Sequence, residues 1–302
     1  MYSSSWFFIL NLGDGTMTTI FINGLGLIGS SIARVIRKSA PDAQILGNDI
    51  NKKNTDFLLE HKIINEATNF DDGSKQADVI ILASPVNSII EDIKKLSDLQ
   101  LKSSVIVTDV GSSKVNILEA ANQLVDIGIT FIGGHPMAGS HLTGSENGSI
   151  EMLANHTYFL VNHNGNNQQV NTIKELLKSG HLRFKEVSAD KHDQIVSTIS
   201  HLPHFITYAL TLTVNDSLRD VYATDISMGN GLLDSTRIAK SNPDVWSDIL
   251  TSNSDNLLDQ IDAFEKQLAV LKKTIIDNKP NELRHSIVDA NDARNGWENN
   301  AK

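Results

Sequence analysis

From Thr18 to about residue 187, short β-branched apolar runs alternate with stretches in which apolar positions recur every three or four residues. The first kind of run suits strands and the second suits amphipathic helices. Their alternation predicts a mostly parallel sheet covered by helices. The expected strands are 18–23, 44–49, 78–83, 104–109, 129–132, 157–162 and 183–187, read as buried on both faces. After Val187 no run reads as a strand, and helical periodicities span Asp193 to Asn215 and Ser254 to Asp277. In the second of these, Leu257, Leu258, Ile261, Phe264, Leu268 and Leu271 follow one another at helical spacings. The expected organisation is an unstructured extension at 1–16, an α/β domain at 17–187 and an all-α domain at 188–302. Helices this apolar bury part of a face against a second subunit, which predicts a homodimer; packing within the chain is the alternative.

Composition narrows the partners. A net charge of −10 works against nucleic acid, whose sequence-independent binding needs an excess of Lys and Arg. The absence of cysteine excludes disulfides, thiolate zinc, iron–sulfur clusters and a cysteine nucleophile, and fits the cytoplasm. No apolar run has membrane length, and the run Trp6 to Leu10 lacks a basic segment before it.

The turn after the first strand reads Gly24-Leu25-Gly26-Leu27-Ile28-Gly29 and opens a helix expected at Ser30 to Lys38. In this setting the first Gly permits a tight turn, the second lets a pyrophosphate approach the backbone, and the third lets helix and strand pack closely. The second strand ends in Asp49, a carboxylate suited to accept from ribose hydroxyls and to repel a 2′-phosphate. A Rossmann domain that binds NAD rather than NADP is therefore expected. Ser84 and Pro85, and the segment Asp109 to Lys114, follow later strands and should face the cofactor's nicotinamide half and the substrate; Ser112 and Ser113 read equally as helix caps.

Beyond the next strand comes Gly134-His135-Pro136-Met137-Ala138-Gly139, with His135 among glycines that would let a ligand come close. Ser200-His201-Leu202-Pro203-His204 interrupts a helix, and Asp234-Ser235-Thr236-Arg237-Ile238-Ala239 leads to Trp246. His201 and His204 have no carboxylate cluster beside them, so no metal is expected.

These motifs, in this order over residues 18–297, resemble the prephenate and arogenate dehydrogenases of tyrosine biosynthesis. The resemblance implies oxidative decarboxylation of prephenate to 4-hydroxyphenylpyruvate with NAD. It implies His135 as the base on the ring C4 hydroxyl, Ser112 assisting there or orienting His135, Arg237 on a substrate carboxylate and His204 on the pyruvyl side chain, with Ser113, Asp234 and Trp246 among the substrate contacts. Activity should then rise with pH as His135 titrates. Two positions depart from the family pattern, His141 where glutamate is common and Asn230 where glycine is common. No regulatory domain of the βαββαβ type is read in the C-terminal segment. Arogenate remains an alternative substrate, with His204 as a neutral donor leaning toward the keto group of prephenate. A β-hydroxyacid dehydrogenase would want a catalytic lysine on the helix after Asp193. A non-catalytic NAD-sensing module would be expected to lose His135 or Arg237.

Overall fold

The structure, a computed structural model, describes residues 18–140, 142–219 and 228–300. Its strands are β1 (Thr19–Asn23), β2 (Gln44–Asn48), β3 (Glu66–Ala67), β4 (Val79–Leu82), β5 (Ile106–Asp109), β6 (Thr130–Pro136), β7 (Thr157–Asn162) and β8 (Arg183–Glu186). Between them run α1 (Leu27–Ser39), α2 (Lys52–Glu60), α3 (Phe70–Gln76), α4 (Val86–Ser97), α5 (Val115–Asp126) and α6 (Asn167–Leu176). The strands form one sheet in the order β3-β2-β1-β4-β5-β6-β7-β8, parallel except where β6 meets β7. This is a doubly wound Rossmann sheet. Its order reverses between β1 and β4, and ligands of such sheets bind at the carboxyl edge of that point.

Strand alternation divides the core into two layers. Ile20 and Ile22 of β1 face one cluster with Ile32, Val35 and Ile36 of α1, while Phe21 faces the other with Ile89 and Ile93 of α4 and Ile117 of α5. All are excluded from solvent.

Four expectations need correction. β3 was not foreseen, because Glu66 and Ala67 are both exposed and carry no apolar signal. β8 is not buried on both faces: it is the sheet's outer edge, with Arg183, Lys185 and Glu186 exposed. α1 begins a turn earlier than expected, at Leu27. β6 runs on to Pro136 because β7 pairs with all of it, from Ile132 opposite Asn162 to Pro136 opposite Tyr158. His135 is thus a strand residue, opposite Phe159.

After Glu186 the described residues are helical: α7 (Ala189–Val196), α8 (Leu202–Leu218), α9 (Asn230–Ser235), α10 (Pro243–Ser252), α11 (Ser254–Ile276) and α12 (Pro280–Asn300). A single π-type turn, Ser197–His201, joins α7 to α8, with Pro203 in the first turn of α8. The chain divides into two compact units, one ending at Asn253 and one starting at Ser254. In the second unit α11 and α12 pack together, the reversal made by Asn278 at φ 52°. Leu258, Leu268, Leu271, Ile275 and Ile276 of α11 remain exposed. No helix among the described residues is long and apolar enough to cross a membrane.

Candidate active site

The glycine-rich turn joins β1 to α1 at the sheet's switch point. Gly24 has φ +92°, and a Cβ there would lie 2.6 Å from the Ala83 carbonyl carbon. A Cβ at Gly29 would collide with the Gly24 carbonyl, so glycine lets α1 pack against the turn. At Gly26, the N-cap of α1, a Cβ would meet nothing within 4 Å, so the backbone there faces open space at a helix N-terminus. Leu25 is buried, while Leu27 and Ile28 are half-buried in the first turn of α1. Asp49 braces this loop: Oδ2 accepts from Leu25 N at 2.6 Å and Oδ1 from Asn51 N at 2.7 Å. The open backbone at Gly26, the helix terminus and the half-exposed carboxylate fit a dinucleotide.

Ser84 and Pro85 follow β4, with Pro85 exposed at the start of α4. Ser84 Oγ donates to Asp92 at 3.3 Å, Asn23 Nδ2 donates to the same oxygen at 2.6 Å, and Asn48 Nδ2 donates to Asn23 Oδ1 at 2.7 Å. Asp92 thereby ties the carboxyl ends of β1, β2 and β4 together. Burial pushes its carboxyl up from the ordinary range, against the pull of Lys95 and its two donors.

On the other side of the switch point, Asp109 is fully buried. Its carboxylate pairs with Lys114 Nζ and accepts from Gly111 N at 2.7 Å and Gly134 N at 3.2 Å. Its side chain therefore sits beneath the loop rather than on an open surface. Lys114 is equally buried, and desolvation lowers its ammonium despite Asp109. Neither serine caps α5. Its first amides, Lys114 N and Val115 N, donate to Asp193 of α7 at 2.8 and 2.9 Å. Ser113 is buried and donates to Ser252 of α10 at 2.9 Å, whereas Ser112 is half-exposed.

His135 lies beside this cluster. Its Nδ1 is 2.8 Å from His192 Nε2, and His192 Nδ1 donates to Asp193 Oδ1 at 2.6 Å. Gly134 makes room for Tyr158 and Asp109 rather than for a ligand, since a Cβ there would lie 2.6 Å from the Asp109 carbonyl. Gly139, by contrast, faces open space. Burial holds His135 well below the usual imidazole range, and His192, Lys114 and His201 push it the same way. The ring is therefore neutral at physiological pH.

His201 is buried in the π-type turn and lowered to about 4, chiefly by burial. Asn253 Nδ2 stands 3.3 Å from its Nδ1 and donates to the Asp193 carbonyl at 2.9 Å. His204 stacks on Trp246 with centroids 3.4 Å apart and rings 19° from parallel. Its Nδ1 donates to the Ser200 carbonyl at 2.9 Å. A neutral His204 thus presents an acceptor at Nε2, which reverses the donor role expected toward a keto group. Burial lowers this imidazole, and the nearby Arg237 charge adds to the effect. Arg237 and Asp234 are exposed. Asn230 opens α9 after the Gly229 cap, and His141 lies outside the described residues.

Sequence reasoning missed His192, Asp193 and Asp92, and it set Lys114 in a loop facing the ligand, whereas Lys114 is buried against Asp109. The available signal was the face His192, Asp193, Val196 and Ser197, all buried on one side of a short helix.

The family model described as "Prephenate dehydrogenase, nucleotide-binding domain" matches residues 32–186, and "Prephenate dehydrogenase, dimerization domain" matches 188–288. The chain is 33% identical to a prephenate dehydrogenase of Lactococcus lactis subsp. cremoris, covering 93% of this chain and 78% of that one. It is also 33% identical to a prephenate dehydrogenase of Bacillus subtilis, covering 92% and 76%. Among solved structures, it is similar to A. aeolicus prephenate dehydrogenase in complex with hydroxyphenyl propionate and NAD+, with a TM-score of 0.82, 30% identity, and 93% and 99% of the two chains covered.

Proposed function

The chain belongs to the prephenate dehydrogenase family, and from that premise we propose that it converts prephenate to 4-hydroxyphenylpyruvate and carbon dioxide with NAD. The observation that carries this assignment is a neutral, buried imidazole at His135, anchored through Nδ1 at the carboxyl edge of the sheet. The Gly24–Gly29 turn holds the pyrophosphate at the start of α1, Asp49 takes the adenosine ribose, and Ser84 and Pro85 flank the nicotinamide half. NAD supplies the acceptor for the hydride that leaves ring C4.

The chain's own residues orient the substrate and manage one proton. His135 takes the C4 hydroxyl proton at Nε2, the nitrogen not joined to His192. Ser112 assists at the same hydroxyl, and Arg237 binds a substrate carboxylate. Departure of the ring carboxylate as carbon dioxide releases the electron pair that makes the ring aromatic, so orientation and a base suffice. Trp246 supports His204 against the side chain, and Asp234 neighbours Arg237 in the same segment. Asp109 and Ser113 act from beneath, the first holding Lys114 and the second joining the loop to α10.

The low imidazole of His135 moves its titration. Activity falls only when the ring is protonated, so the acid limb lies below the ordinary histidine range rather than through neutrality. A kcat/KM profile flat across neutral pH and falling under acid conditions is expected.

Arogenate is a second reading, favoured by the acceptor at His204 Nε2, which suits an ammonium better than a keto oxygen. Comparing kcat/KM for the two substrates decides between them. The assignment expects NADH formation with prephenate, and no signal with either substrate would overturn it. We propose a nucleotide-binding segment that ends at about residue 187, where the two family models adjoin, although the compact units divide at Asn253. Homodimerisation through the helical segment is supported by the second model's description and by the exposed leucines and isoleucines of α11.

A further inference from the structure

We infer that His192 and Asp193 are positioning residues that hold His135 in the one neutral tautomer able to act as a base, an assignment that rests on the role proposed above for His135. A carboxylate accepts hydrogen bonds and donates none, so the 2.6 Å contact with Asp193 Oδ1 requires hydrogen on His192 Nδ1. Neutral His192 then has only a lone pair at Nε2. The 2.8 Å contact with His135 must therefore be donated by His135 Nδ1, which leaves the lone pair of His135 on Nε2.

The direction of the chain is fixed at its far end. Both Asp193 oxygens also accept from α5, Oδ1 from Lys114 N and Oδ2 from Val115 N, so the carboxylate is held against rotation. His192 is fully buried, its ring edge-on to Phe159 at 5.2 Å and 90°. The other titratable or charged groups around His135 are Lys114, paired with Asp109, and His201. The buried Lys114 charge and desolvation both lower His135 and His192, so the pair rests neutral. During reaction one proton moves from the C4 hydroxyl to His135 Nε2. The Nδ1–H stays on His135, and its bond to His192, backed by Asp193, steadies the imidazolium that forms.

The test begins with the full-length wild-type protein labelled with 15N-histidine, without substrate, with the His135 resonances assigned from His135→Asn. Hydrogen on Nδ1 and a bare Nε2 are expected; hydrogen on Nε2 overturns the inference. Asp193→Leu removes the acceptor that fixes His192, so His192 can carry its hydrogen on Nε2 and donate to His135 Nδ1. Hydrogen should then appear on His135 Nε2, and kcat should fall by about 10²–10⁴-fold while KM for prephenate and for NAD stays within about threefold. His192→Gln keeps an acceptor facing His135 and should retain kcat to within about tenfold. A purely structural cap would leave the tautomer in place, so Asp193→Leu with wild-type tautomer and kcat overturns the assignment. If the variants do not fold, the wild-type tautomer decides alone. A wild-type protein inactive on both prephenate and arogenate, yet carrying the expected tautomer, would sink the proposed reaction and leave the hydrogen-bond chain standing.

Discussion

At the scale of single residues, the glycines of the first turn and the arginine of the helical segment do different things. Gly24 occupies a backbone conformation that an L side chain adopts at a cost, and any Cβ there meets the Ala83 backbone. Gly24→Ala should lower stability by about 1–3 kcal/mol and weaken NAD binding, read by thermal melting and by titration with NAD. Arg237 is exposed and its charge reaches His204, so its replacement should leave the fold intact. Arg237→Ala is expected to reduce kcat/KM for prephenate by about 10–100-fold without changing KM for NAD, because a charge-assisted contact is lost. The glycine fingerprint and Asp49 were legible in the sequence because turn geometry demands glycine at fixed offsets. The role of His204 was not: which ring nitrogen is free depends on the Ser200 carbonyl one helical turn away.

At the scale of elements, the apolar runs located the central strands because a strand covered on both faces has nothing else to show. β3 escapes notice as a two-residue exposed strand, and β8 is not buried as expected because Phe184 and Val187 suggest a core although the strand ends at Glu186 on the sheet's edge. The end of β6 was hidden by Gly133 and Gly134, which read as loop residues until β7 paired with them. α7 shows the largest gap. Periodicity counts apolar positions, whereas the buried face of α7 carries His192 and Asp193, whose partners lie on β6 and α5. The junction of β5 and α5 is held by the Asp109–Lys114 pair inside the protein. Lys114→Met would strand Asp109 as an unpaired buried carboxylate, and a loss of about 3–5 kcal/mol in denaturant unfolding is expected. A loss under about 1 kcal/mol would mean that the pair is not what holds this junction.

At the scale of the molecule, the buried histidines tie stability to pH. His135, His192 and His201 all titrate below 6.5 when folded, chiefly through burial, but would take up protons near that value in the unfolded chain. Below pH 6.5 the unfolded state therefore binds more protons, and stability falls as the pH falls. His201 alone, lowered to about 4, would remove roughly 3 kcal/mol by that pH. Unfolding midpoints measured from pH 7 to pH 4 should drop steeply, and an unchanged midpoint would contradict the buried neutral histidines. The same neutrality makes His135 a base at physiological pH. The central claim, that His135 accepts the substrate proton, is tested most directly by the steady-state rate of NADH formation from prephenate and NAD in the wild-type protein and in His135→Asn. The wild type should turn over, and the variant should lose about 10²–10⁴-fold in kcat while still binding NAD. A variant that turns over at the wild-type rate would contradict it.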